Sequence, residues 1–314
     1  MIRNGRGWGA GSNYSTWRKL TLYKQHSLRF DFTNLTSSFD SSGNNKISIN
    51  NVKAVVSLNA VVGRTGTSAD ISIYGLGLDM LAALSGRADG NMLDTQRINV
   101  EIFADDSVVF SGGMTSSVAN MNAAPDSNLM ISATANADLQ NMPASPFSVN
   151  GAQKLTDVIN SICSAAGYRA SFNKMNGMTT SGSPYFEGSV FDQLHQICVD
   201  YGVAMSATPP QKVEFWPAKS TRDEIIPLIS KEYGLIGYPI FSSGGIMFQT
   251  QYSSLLVIGR FIEMETELPN ASGKYQLSTV RHELSSWVSG GAWHSVCTAY
   301  RTNEARAEAQ NKNE

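Results

Sequence analysis

Apolar residues recur at every second position through most of this chain, and that period of two restricts its fold more than any other feature. In SLRFDFTN, Leu28, Phe30 and Phe32 share one side, and Ile47 with Ile49 repeat the period in KISIN. Val55 to Val62, Ile71-Ser72-Ile73, INVEIF, VVFSGGM and LMISATAN continue it. On a pleated backbone such alternation sends one face into a core and the other to solvent or a partner. Asp105-Asp106 and the stretch Ala124-Pro125-Asp126-Ser127-Asn128 have the composition of turns between strands. One short helix is expected around Leu78 to Leu84, stopped by Gly86. Many strands at short spacing with one inserted helix predict a closed or nearly closed β-barrel over residues 17–142.

The period changes at residues 143–224. Leu155, Val158, Ile159 and Ile162 fall at helical spacing, and Gly167 ends that helix before the strand YRASF. Val190, Phe191, Leu194, Ile197 and Cys198 form a second stripe ended by Gly202, followed by the strands VAMSAT and VEFW. Helix, glycine and strand occurring twice predict a small α+β domain whose helical stripes are core. After the short charged stretch KSTRDEII, alternation returns over 225–301 in GIMFQTQY, SLLVIGRFIEMETEL, GKYQLSTVRHEL and AWHSVCTAY, with turns at Pro269–Gly273 and Gly290-Gly291. A second β-barrel is expected there. The fold class is thus mainly β, with two barrels flanking an α+β insert.

The ends differ in composition. Residues 1–16, rich in Gly, Ser, Asn and Arg, read as an arm with Trp8 as candidate anchor on a neighbouring subunit, against the alternative of a plain disordered tail. Residues 302–314 read as a polar tail. MIRNGRGWGAGSNYSTW has no apolar core of a secretory signal, and no apolar run reaches the length of a membrane span, so neither export by that route nor membrane insertion is expected. A formal net charge of −2 gives no basic field for nucleic acid. Cys163, Cys198 and Cys297 are far apart and odd in number, the pattern of buried reduced thiols.

No motif in the sequence carries chemistry. His26, His195, His282 and His294 lack any tight ligand spacing, and Glu283 belongs on the opposite strand face from His282. GxSxG, Walker and dinucleotide-binding patterns do not occur, and no cofactor, metal or catalytic residue is expected. Glu263, Glu265 and Glu267 in FIEMETEL would share one face of one strand, and like charges so aligned must face water, a partner's basic groups or a lumen.

The order of these parts resembles the hub proteins of phage tails, a group that includes the central baseplate subunit of contractile tails and the N-terminal part of type VI secretion spike proteins. SADISIYGLG before a helix, INVEIFADDSVVFSGGMTSSV with PDSNLMISATANA, GSVFDQLHQICVDYGVAMSATPPQKVEFWP, and the pair GLIGYPIFSSGGIMFQTQYSSLLVIGRFIEMET and GKYQLSTVRHELSSWVSGGAWHSVCTAY carry the resemblance over residues 18–301. It implies a non-enzymatic virion protein, located in the tail baseplate and assembled in the host cytoplasm. It also implies a homotrimeric ring whose six barrels adapt a six-fold tail tube to a three-fold central spike, passing tape measure protein and DNA. The implied partners are further copies of the chain, the tube, spike and tape measure proteins, and other baseplate proteins, with no sequence-specific nucleic-acid binding. Residues 302–314 are too few for a spike or lytic domain, which are expected as separate chains. Two other classes share part of the pattern: a different tail β-protein or carbohydrate-binding module, and a tail-associated cell-wall hydrolase.

Overall fold

A computed structural model describes residues 25–61, 66–86, 97–208 and 211–301; Trp8 and the two terminal segments lie outside the described residues. The alternating segments form strands. In the first third these are β1 (Leu28–Asn34), β2 (Lys46–Asn50), β3 (Ala54–Val61) and β4 (Thr67–Tyr74), then helix α1 (Leu78–Leu84), then β5 (Ile98–Ala104), β6 (Ser107–Asn120) and β7 (Asn128–Thr134). β1 shows why they form: Leu28, Phe30 and Phe32 are buried while Arg29, Asp31 and Thr33 between them are not. The β5–β6 hairpin turns on Asp105 and Asp106, both at positive φ, which suits the right-handed twist of paired strands.

The middle third opens with helix α2 (Ala137–Asn141) and β8 (Phe147–Ser148), followed by the two striped helices with their strands. These are α3 (Leu155–Ala165), β9 (Arg169–Phe172), β10 (Tyr185–Phe186), α4 (Val190–Tyr201), β11 (Val203–Thr208) and β12 (Lys212–Pro217). Gly167 and Gly202 both take the left-handed conformation that ends each helix. Ser189 caps α4, its hydroxyl accepting from the Asp192 N–H at 3.1 Å while Asp192 accepts from the Ser189 N–H at 3.2 Å. The apolar stripes of α3 and α4 pack on the β11–β12–β9 sheet, enclosing a separate core around Ile159, Leu194 and Phe215.

The last third contributes β13 (Leu228–Ile229), β14 (Leu235–Ser242), β15 (Gly245–Gln251), β16 (Phe261–Met264), β17 (Gly273–Ser286) and β18 (Trp293–Tyr300). Here the architecture departs from two separate barrels. A 13-stranded sheet runs β14-β15-β18-β17-β3-β4-β7-β6-β5-β1-β2, with β16 and β13 branching from β17. The joint is β17, whose fourteen residues pair with β16 at one end and with β3 at the other. No closed barrel is present among the described residues; the sheet instead curls around two cores, one beneath β1–β7 and one beneath β14–β18. A strand long enough to serve both halves fuses them, a consequence of length that local alternation does not reveal.

SLLVIGRFIEMETEL also departs from expectation, since only Phe261–Met264 is strand. The cause is the junction with the α+β core. Gly259, at φ +79°, lies against the buried Trp216, where a Cβ would come within 2.6 Å of the indole. Arg260 then turns to Asp223, with Nε at 2.9 Å from Oδ1 and Nη2 at 2.5 Å from Oδ2, and its Nη1 donates to the Leu255 carbonyl. Arg222 joins from the preceding connector, its Nη2 2.6 Å from Glu214 Oε2. Burial alone would raise the Glu214 carboxyl, but Arg222 and Lys212 override it and hold it below its ordinary value.

Candidate assembly surfaces

With both cores on one side of the large sheet, its other side carries a largely polar row that crosses all the strands of the main path. Strand register places Ile236, Gln249, Val296, Arg281, Asn59, Ser68, Thr134, Gly113, Asn99, Thr33 and Lys46 in one unbroken row across eleven strands. The adjacent row runs Glu283, Ser57, Asp70, Ser132, Ser116. Its groups bond to one another: Ser57 Oγ donates to Glu283 Oε1 at 3.1 Å and Ser132 Oγ to Asp70 Oδ1 at 2.9 Å, while Arg281 pairs with Glu283. Small hydroxyl and amide groups predominate, with Arg281 paired to Glu283 and Lys46 exposed at the far edge of the row. Toward one end the same face turns apolar, with Val118, Met130 and Val55 joined in register through Ser72 and partly exposed.

The acidic residues singled out from sequence do not share a strand face. Glu263 sits on β16, half-buried opposite Lys274 on β17. Glu265 and Glu267 lie past the strand end in an exposed turn, where the Thr266 N–H bonds to Ser272 Oγ at 3.1 Å instead of entering a ladder. The two carboxylates instead border an open cleft of about 590 Å³ that also meets Glu232, Lys231 and Tyr238. The cleft marks the seam of the second half, between the β14 edge and the turn after β16, and Tyr238 Oη spans it to Glu267 Oε2 at 3.4 Å. Beside it, β14 exposes apolar side chains: Tyr238 and Ile240 are each 62% accessible and Phe241 56%. Alternation alone could not find this surface, because β14 carries a bulge between Ile236 and Ile240.

His282 and His294, on paired strands, do not come together. His282 faces inward, its Nδ1 2.7 Å from Ser295 Oγ, beside a cavity of about 110 Å³ where the sheet meets the α+β core. His294 is opposite Glu283 in register, so His282 and His294 project from opposite faces and cannot share a metal. Among the described residues no group of three or more His, Cys, Asp or Glu could hold a metal ion, and no helix is long and apolar enough to cross a membrane. Cys163, Cys198 and Cys297 are buried free thiols, each pushed up to about 12 by burial.

Burial drives His282 down to about 4, against a weaker opposing pull from a hydrogen bond to the Leu256 backbone. The unfolded chain therefore takes up this proton near pH 6.5 and the folded chain only near pH 4. Stability from this group is full above pH 6.5 and is lost as pH falls through that window, by up to about 3 kcal/mol. Thermal melts from pH 7 to 4.5 should show this loss in the wild type and a shallower slope in His282→Gln; parallel slopes would contradict it.

No protein-family model matches the sequence, and no curated protein matches it. Solved structures do. A tail protein from Neisseria meningitidis MC58 superposes with TM-score 0.61 at 10% identity, covering 90% of this chain and 98% of the other. The 43 kDa tail protein of prophage MuSo2 from Shewanella oneidensis gives 0.57 at 10% identity, covering 87% and 96%. An E. coli type VI secretion system component, described as structurally similar to the T4 tail proteins gp27 and gp5, gives 0.54 at 13% identity, covering 81% and 75%. Spanning nearly the whole described chain and three different sources, these likenesses give it the fold that these tail proteins and this type VI secretion component share.

Proposed function

We propose that this chain is a structural subunit of a phage tail baseplate, forming a homotrimeric hub ring between the tail tube and the central spike. The observation that carries this reading is the agreement in fold with tail proteins over almost their full length. The two β-rich halves joined by β17 support it, because three chains would then present six similar β lobes to a six-fold tube and three copies of everything else to a spike. In this reading the chain is not an enzyme, and its partners are its own copies, the tube, spike and tape measure proteins, and neighbouring baseplate proteins, within the virion tail.

The polar row from Ile236 to Lys46 is the better candidate for a channel wall than Glu263, Glu265 and Glu267. Each Lys or Arg contact to phosphate adds affinity and salt dependence, which would retard a moving strand. On the row, Arg281 is neutralised by Glu283, Lys46 on the edge strand β2 is the one other cation, and Ser, Thr and Asn side chains make up most of the middle. Glu265 and Glu267, beside exposed apolar groups at a seam, fit a contact surface. Quantitative mass spectrometry of purified virions tests the assignment: three copies per particle are expected, and a copy number matching the many-ringed tube would refute it.

A further inference from the structure

The seam cleft and the β14 surface lack a partner among the described residues, and the chain itself contains a segment with the matching chemistry. Residues 1–24 carry five cations, Arg3, Arg6, Arg18, Lys19 and Lys24, and no Asp or Glu. They also carry Trp17, Leu20, Leu22 and Tyr23. The cleft presents Glu232, Glu265 and Glu267 against Lys231 alone, next to the exposed Tyr238, Ile240 and Phe241. We propose that residues 17–24, WRKLTLYK, dock along this seam in the same chain, setting Arg18 and Lys19 against Glu265 and Glu267 and covering β14 with their apolar residues.

The point of departure favours this occupant. The described chain begins at Gln25, and His26 is fixed by stacking on Trp293, ring centroids 4.0 Å apart, and by a 2.8 Å contact of Nδ1 with Asp105. Trp293 meets Tyr252 edge-on at 5.6 Å, and the neighbouring Gln251 N–H donates to the Gly234 carbonyl at 2.8 Å, one residue before the cleft-lining Leu235. From Trp293 on β18, where His26 is stacked, the crossing to β14 is two strand spacings, about 10 Å. Eight extended residues reach up to about 28 Å. The bulge in β14, with Gly237 at φ +71° and the buried Pro239, interrupts a continuous backbone ladder, so the contact rests mainly on side chains.

Replacing Tyr238 with p-benzoylphenylalanine in the full chain and irradiating it tests this directly. The cross-link should map to the peptide spanning residues 17–24 at the mass of a single chain. Arg18→Glu with Lys19→Glu should cut the yield about fivefold or more, as expected for two partly exposed ion pairs, and adding Glu265→Lys with Glu267→Lys should restore it. Cross-links that map elsewhere, that join two chains, or that ignore the charge reversals would each overturn the proposal.

Discussion

Ile159→Asp or Leu194→Asp should eliminate soluble folded protein. Both side chains are fully buried, Ile159 on α3 and Leu194 on α4, where the two stripes face the β11–β12–β9 sheet and one another. A carboxylate there has two options, and both destabilise. Ionised, it pays the cost of an unpaired buried charge; neutral, it still leaves a polar group and a void where an aliphatic side chain was packed. Either route costs roughly 4 kcal/mol or more, comparable to the whole stability of many domains. Val199→Asp provides the control on the same helix, because Val199 is 67% exposed. Expression and thermal melting should separate the variants sharply. Wild-type melting of either core variant would mean that the helical faces are misassigned.

Arg260→Ala should be the most damaging change at the junction between the α+β core and the second half of the sheet. Arg260 is buried and makes a bidentate pair with Asp223 while donating to the Leu255 carbonyl. Truncation strands a carboxylate and a carbonyl at once. The expected cost is about 2–4 kcal/mol, below that of a fully enclosed pair because Asp223 keeps some access to water. Lysine should restore only part of it, since an ammonium cannot reproduce the fork. Removing both charges, as Arg260→Met with Asp223→Leu, should recover much of the loss. The denaturant midpoint reads all three; a midpoint unchanged in Arg260→Ala would show that the pair contributes nothing.

These two sites also show where sequence reading succeeds and where it stops. The stripes of α3 and α4 were legible because both periodicity and the terminating Gly167 and Gly202 are local signals. The same holds for β1, β3 and β4, and for the hairpin at Asp105-Asp106. Arg222 and Asp223 read only as part of a short charged stretch, yet Arg222 is buried between Glu214 and Trp216 of the preceding β12, and Asp223 takes Arg260 from 37 positions further on, a pairing that no local pattern encodes. The row expected for Glu263, Glu265 and Glu267 failed for a similar reason: alternation continues past Met264, but Ser272 captures the Thr266 backbone and ends the ladder. The pairing of β17 with β3, which turns two expected barrels into one sheet, joins residues more than two hundred positions apart. Nothing in either strand alone encodes it. The polar row across eleven strands inherits that blindness, since it exists only once every register is set.

The claim that this chain forms a hub ring is tested most directly by the mass and symmetry of the purified protein, with and without the tube and spike proteins of the same tail. Light scattering should give the mass of three chains, and averaged electron micrographs should show a ring with three-fold symmetry and six similar lobes. A chain that stays monomeric with both partners present, or that closes as a two-fold dimer, would contradict the account.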